Sequence, residues 1–134
     1  MRRNIGTVMV AAIVLVAATL ACGGSFTTAN ISDAYMSTDS DGANRTTAYS
    51  QDAVFYAQVD LQNAPDDTKL KAVWFAVNAE GVEANYQIEE TEFTSSDSLI
   101  HFELSNESLW PVGQYKVDIY LNDALTKTLT FDVQ

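Results

Sequence analysis

From Ile31 to the last residue, Gln134, apolar and polar positions alternate with a period of two. Turn-forming residues break the pattern roughly every 8–12 positions, the spacing of short antiparallel strands. A first strand is predicted over 29–36, ahead of a polar loop from Ser37 to Asn44. The run 53–61 sets Phe55, Ala57, Val59 and Leu61 on one face against Tyr56, Gln58 and Asp60. After the turn residues Asn63-Ala64-Pro65-Asp66-Asp67, the run 69–78 points Leu70, Ala72 and Trp74 inward and Lys71 outward. Ala79-Glu80-Gly81 reads as a hairpin loop, with the glycine free to take positive φ.

An edge strand is expected over 82–88, followed by 98–104 with Ile100, Phe102 and Leu104 inward and His101 and Glu103 outward. Ser105 to Gln114 is a longer connection containing Trp110-Pro111. Tyr115, Val117, Ile119 and Leu121 then alternate with Lys116, Asp118 and Tyr120. Asn122-Asp123 makes a tight turn into a last strand ending Leu129, Phe131, Val133. No useful helix-period segment follows residue 30, so the pattern predicts an all-β, antiparallel sandwich of about seven strands over 31–134.

The first 30 residues follow a different grammar. Arg2-Arg3 precede an apolar run from Ile5, and small residues lead into Cys22, the one cysteine of the chain. A charged start, an apolar middle and a small-residue cleavage site make a secretory signal peptide over 1–21. The competing reading is a membrane span. Ile5 to Ala21 is 17 residues, the short limit for crossing the hydrocarbon, and it contains Gly6, Thr7 and Thr19 with no basic cluster after it.

With Ala21 before Cys22, the segment resembles a bacterial lipoprotein signal, although Thr19 stands where that family usually has Leu. The resemblance implies cleavage between Ala21 and Cys22 and acylation of Cys22, which becomes the mature N-terminus. Several acyl chains give a stable anchor where one gives only marginal binding. Gly23, in place of Asp, implies outer-membrane sorting in a two-membrane bacterium and the outer face of the cell membrane otherwise. Residues 22–30 would form a lipidated flexible tether reaching at most roughly 30 Å, which places the protein in the cell envelope.

Charge narrows the partners. The 113 residues from Cys22 onward keep five Lys and Arg against all 18 acidic residues, a net charge of −13. Such a surface disfavours nucleic acid and anionic headgroups. One cysteine allows no internal disulfide, so an oxidising compartment adds no staple.

Gly113-Gln114-Tyr115-Lys116-Val117 is similar to the start of the sixth strand of immunoglobulin-like modules, and Trp74 stands where such domains place their core tryptophan. The stretch from Trp110 to Val133 also resembles the closing hairpin of secreted bacterial immunoglobulin-like and fibronectin-type-III-like modules. The resemblance implies that the Tyr115 hydroxyl bonds back to the preceding corner. It also implies that Trp74, Tyr115, Val59 and Val117 belong to the core, in a fold that hosts many functions.

Chemistry-bearing motifs are sparse. Asp39-Ser40-Asp41-Gly42 looks like half a calcium loop, but the register puts Ser37 first and Ala48 last, where an EF-hand needs ligands. A polar turn fits better, and no metal or cofactor is expected. His101 falls on the outer face beside Glu103, without an orienting partner, and Glu89, Glu90 and Glu92 read as a solvated strand end. No phosphate loop, Cys/His cluster or serine nucleophile motif is present, so the expectation is a non-enzyme.

The sharpest candidate surface is apolar. If Trp74 faces inward, Val73, Phe75 and Val77 face outward, with Tyr120 on the neighbouring strand. Three outward apolar residues are unusual for a one-sided sheet and suggest a protein-binding patch, here for another envelope protein. The competing reading is that 82–90 and the following loop cover this face, or that β-propensity alone selects these residues. Two other functions remain open: a carbohydrate-binding module using Tyr49, Tyr56, Tyr86 or Trp110, and a structural spacer.

Overall fold

The computed structural model describes residues 28–134. The expected signal peptide 1–21, Ala21 and Cys22, and all of the tether 22–30 except its last three residues lie outside the described residues. Within them, all regular structure is strand: β1 (Asn30–Ser37), β2 (Ala48–Tyr49), β3 (Phe55–Gln62), β4 (Lys69–Ala79), β5 (Tyr86–Thr94), β6 (Leu99–Leu104), β7 (Gly113–Leu121) and β8 (Ala124–Val133). They form two sheets of unequal width, β1-β3-β6 and β2-β8-β7-β4-β5. All pairings are antiparallel except β2 on β8.

The period-two pattern explains the elements. Along β3 the buried set is Phe55, Ala57, Val59 and Leu61, and along β6 it is Ile100, Phe102 and Leu104. On β4 and β7 it includes Leu70, Ala72, Trp74, Ala76, Tyr115, Val117 and Ile119. Packing these faces together places Phe55 at the centre of the core. Its ring centroid lies 4.5 Å from Trp110, 4.7 Å from Phe131, 5.0 Å from Tyr49, 5.6 Å from Tyr115 and 6.3 Å from Trp74. Offset and tilted ring pairs at such distances add stability beyond the area they bury.

The turns are equally specific. Asn122 and Asp123 both have positive φ, 48° and 71°, the two-residue hairpin geometry that suits the right-handed twist of β7 and β8. The Tyr115 hydroxyl donates to the Pro111 carbonyl at 2.6 Å, closing the corner implied by the immunoglobulin-like resemblance. Gln58, expected to face outward, is buried instead. Its side-chain N–H groups lie 3.1 Å from Ser37 Oγ and from the Asp39 and Ser40 carbonyl oxygens, so the amide binds the 37–44 loop to β3.

Two further differences matter. Tyr49 belongs to β2, a strand too short to leave a periodic signal, and is buried against Phe55 and Phe131. The β4–β5 loop runs past Gly81 to Asn85, whose N–H donates to the Val77 carbonyl from a left-handed conformation (φ 56°). The edge strand therefore starts at Tyr86 and continues to Thr94, through the glutamates read as a strand end.

Gly113 and Gly81 both have positive φ, 153° and 74°, but in different surroundings. A Cβ on Gly113 would stand 2.3 Å from the Asn78 carbonyl oxygen and 2.5 Å from Ala79 Cα, whereas one on Gly81 meets nothing. Gly81→Ala should cost about 1–2 kcal/mol for backbone conformation alone. Gly113→Ala should add a backbone clash and cost about 2–5 kcal/mol in a urea melt; equal costs would contradict this packing.

Candidate functional site

The outer face of the wide sheet corrects the expected patch. Val73, Phe75 and Tyr120 share this face, but they do not form an exposed apolar surface. Val73 is only 5% exposed, because it sits on a strand paired on both sides, between Glu90 of β5 and Asp118 of β7. The Lys116 amine lies 4.8 Å above the Phe75 ring, and the Lys71 amine 4.5 Å above the Tyr120 ring. Val77, half-buried, falls where the β4–β7 register shifts. Asp118 accepts from the Thr128 hydroxyl at 2.8 Å and lies 3.4 Å from the Lys116 amine. Lysine stems cover the apolar groups while their amines stay in water, leaving a charge-laced face.

The open surface lies on the flank between β5 and β6. Five strands face three, and β5 overhangs the narrower sheet. Its register with β4 puts Glu89, Thr91 and Phe93 on the same side as Trp74, Ala72 and Leu70, yet only Ile88 and Phe93 of β5 are even half-buried. At the Thr94 end, Phe93 meets Phe102 of β6 at 5.2 Å. Towards Tyr86 the layers part over a cleft of about 200 Å³ lined by Ala76, Val82, Tyr86, Ile88, Asn106, Trp110, Pro111 and Tyr115. Of the four large apolar side chains most exposed among the described residues, Tyr86 (49%) lines this cleft and Leu109 (62%) lies in the loop that borders it, while Leu99 (58%) stands on the outer face at the far end of β6.

The opposite flank carries a larger open cleft of about 510 Å³ between β1 and β8, beside Tyr35, Met36, Arg45, Leu129 and Thr130. Its cation is already engaged. The Arg45 guanidinium stacks 3.7 Å from the Tyr35 ring centroid and bonds Asp33 at 2.9 Å.

Comparison with known proteins identifies the architecture. No family model and no curated protein matches the sequence. Among solved structures, the chain is similar to an immunoglobulin-like protein from Pseudomonas aeruginosa, with TM-score 0.51 and 16% identity over 83% of this chain and 100% of that one. The fold is immunoglobulin-like. The same sandwich is similar to part of the Pseudomonas fluorescens alkylpurine DNA glycosylase AlkC, with TM-score 0.53 and 11% identity over 87% of this chain. It also resembles part of a Listeria innocua β-glucosidase, with TM-score 0.52 and 10% identity over 83% of this chain. This chain spans only 33% of the glycosylase and 17% of the glucosidase, and such likeness concerns the fold alone.

The remaining candidates take their places in the immunoglobulin-like domain. The Asp39 carboxylate accepts from the backbone N–H of Ala43 and Asn44, both at 3.2 Å, an arrangement that holds its turn together. His101 is exposed, its Nε2 3.4 Å from Glu103 and its ring 5.9 Å from Tyr56. Trp74, Tyr115, Val59 and Val117 are all buried. Two of the four proposed sugar-stacking residues are not available. Trp110 is 5% exposed and donates its indole N–H to the Ala53 carbonyl at 2.9 Å; Tyr49 is 4% exposed and donates to the Ser37 carbonyl at 2.5 Å.

Burial pushes the Tyr49 hydroxyl up to about 12 and raises that of Tyr115 as well. The unfolded chain loses the Tyr49 proton near pH 10, whereas the folded chain holds it. Stability from this group is therefore complete below pH 10 and is lost as pH rises to about 12. The expected loss is about 2–3 kcal/mol across that window. Tyr49→Phe should start about 1 kcal/mol lower, for the missing hydrogen bond, and fall less steeply. Parallel alkaline limbs for the two proteins would contradict the assignment.

Proposed function

We propose that this chain is a non-catalytic, protein-binding module held on the outer side of a bacterial cell membrane by acyl chains on Cys22. The observation that carries the binding reading is the β5–β6 flank, where an apolar cleft opens beside half-exposed Tyr86 and the loop that carries exposed Leu109. Exposed apolar groups gathered at a cleft are costly in a highly charged soluble domain and are typical of interaction sites. The anchor rests on the sequence around Ala21 and Cys22. Held by a short tether, the domain would meet co-localised envelope proteins at a raised effective concentration. Its acidity disfavours nucleic acid, and the reading needs no cofactor.

The full chain in cells tests both halves. A fatty-acid analogue should label it, and Cys22→Ser should abolish the label; unchanged labelling would refute the anchor. A photoreactive phenylalanine analogue at position 86 should form protein adducts, and the same group at position 75 far fewer. Sugar adducts from position 86, or none from either position, would overturn the protein-binding reading in favour of a glycan-binding module or a spacer.

A further inference from the structure

Among the described residues, β6 is the edge of the narrow sheet and pairs only with β3. The Leu61 N–H donates to the Ser98 carbonyl at 2.7 Å, so the backbone groups of Ser98 point to β3. Alternation along the strand then turns those of Ile100, Phe102 and Leu104 to β3, and those of Leu99, His101 and Glu103 to the open side. Other edges are blunted in ways proteins commonly use. β5 is bulged beside Trp74 and carries Glu89, Glu90 and Glu92. The end of β1 is covered by the bridge from Ser37 to Arg45 and by the Thr46 N–H on the Met36 carbonyl. β2 is two residues long. β6 has no bulge, no proline and no lysine, and its register with β3 runs unshifted from Leu99 to Leu104.

The space alongside this edge lies under the overhang of β5. A strand added there would alternate its side chains. One set would enter the gap towards Ile88 and the cleft, with Glu89 at its rim; the other would lie on the outer face beside Leu99, His101 and Glu103. Charge indicates the occupant. From Val82 to Leu109 the chain has seven carboxylates (Glu83, Glu89, Glu90, Glu92, Asp97, Glu103 and Glu107) and no lysine or arginine. A second copy would bring the same carboxylates face to face, which opposes self-pairing. We propose that the open edge of β6 accepts, by strand addition, an extended partner segment in which apolar residues alternate with lysine or arginine. Backbone hydrogen bonds would supply the pairing, while the cleft and the carboxylates select the side chains.

The proposal rests on the protein-binding reading and can fail without it, since crosslinks from position 86 would stand even if no strand were added. The test uses the purified full chain in a neutral detergent and a ten-residue peptide of alternating lysine and valine, labelled for fluorescence anisotropy. This peptide should bind, whereas the glutamate–valine counterpart should not. N-methylation of alternate backbone nitrogens, on the residues that would face β6, keeps the charges but removes the donors, and should weaken binding about tenfold or more. His101→Pro removes an N–H that faces the open side, where an edge strand tolerates proline; it should abolish binding with the melt unchanged. The triple change Glu89→Gln, Glu103→Gln and Glu107→Gln should weaken binding several-fold and needs no backbone change. Equal binding of the N-methylated peptide would show charge attraction without strand addition. Equal binding of the glutamate peptide, or no effect of the triple change, would remove the cationic partner. Each of these outcomes overturns the proposal.

Discussion

The pairing of β5 with β4, and not with β6, is the constraint on which the rest of this structure depends. Residues 80–85 close a loop that returns the chain onto β4, helped by left-handed Asn85 and its bond to Val77. The wide sheet therefore takes five strands and leaves three for the other. One layer overhangs, so β5 has a largely uncovered inner face and the edge of β6 has no strand beside it among the described residues. The β5–β6 cleft, the exposed apolar side chains around it and the free backbone groups of β6 all follow from that single choice.

The remainder of the domain is built to be rigid. Phe55 holds together rings from β2, β4, β7, β8 and the Trp110 loop, and the Tyr115 hydroxyl fixes the corner that leads into β7. The buried Gln58 amide ties down the long loop between β1 and β2. A frame of this kind can carry an open edge without rearranging, because the interactions that hold the core lie elsewhere.

Much of this could be read from the sequence, for one physical reason: strands buried on one face alternate, and side-chain period alone exposes them. The inward sets of β3, β4, β6 and β7, the Asn122-Asp123 turn and the Tyr115 corner all belong to that legible class. Sheet membership does not, since nothing in the period of β5 says which neighbour it joins. Two-residue β2 is too short to have a period, so Tyr49 reads as a surface aromatic. Gln58 and Val73 were illegible for opposite reasons. A long polar side chain can be buried once its amide finds carbonyl partners, and an outward valine on a central strand is covered by the neighbours on both sides, here Glu90 and Asp118. The candidate site was only partly legible: Tyr86 was a possible sugar contact, but its place beside a gap between layers depends on topology.

Function on this account comes from two ends of one chain. The lipoprotein-like start proposes where the domain is held, and the uneven sandwich proposes how it engages a neighbour. The claim joining structure to function is that the outer side of β6 is free. Residue-resolved amide hydrogen exchange on the unbound protein tests it most directly. The account predicts alternation along one strand, with slow exchange at Ile100, Phe102 and Leu104 and fast exchange at Leu99, His101 and Glu103. Uniform protection along β6 would mean that its edge is already covered, and would contradict the account.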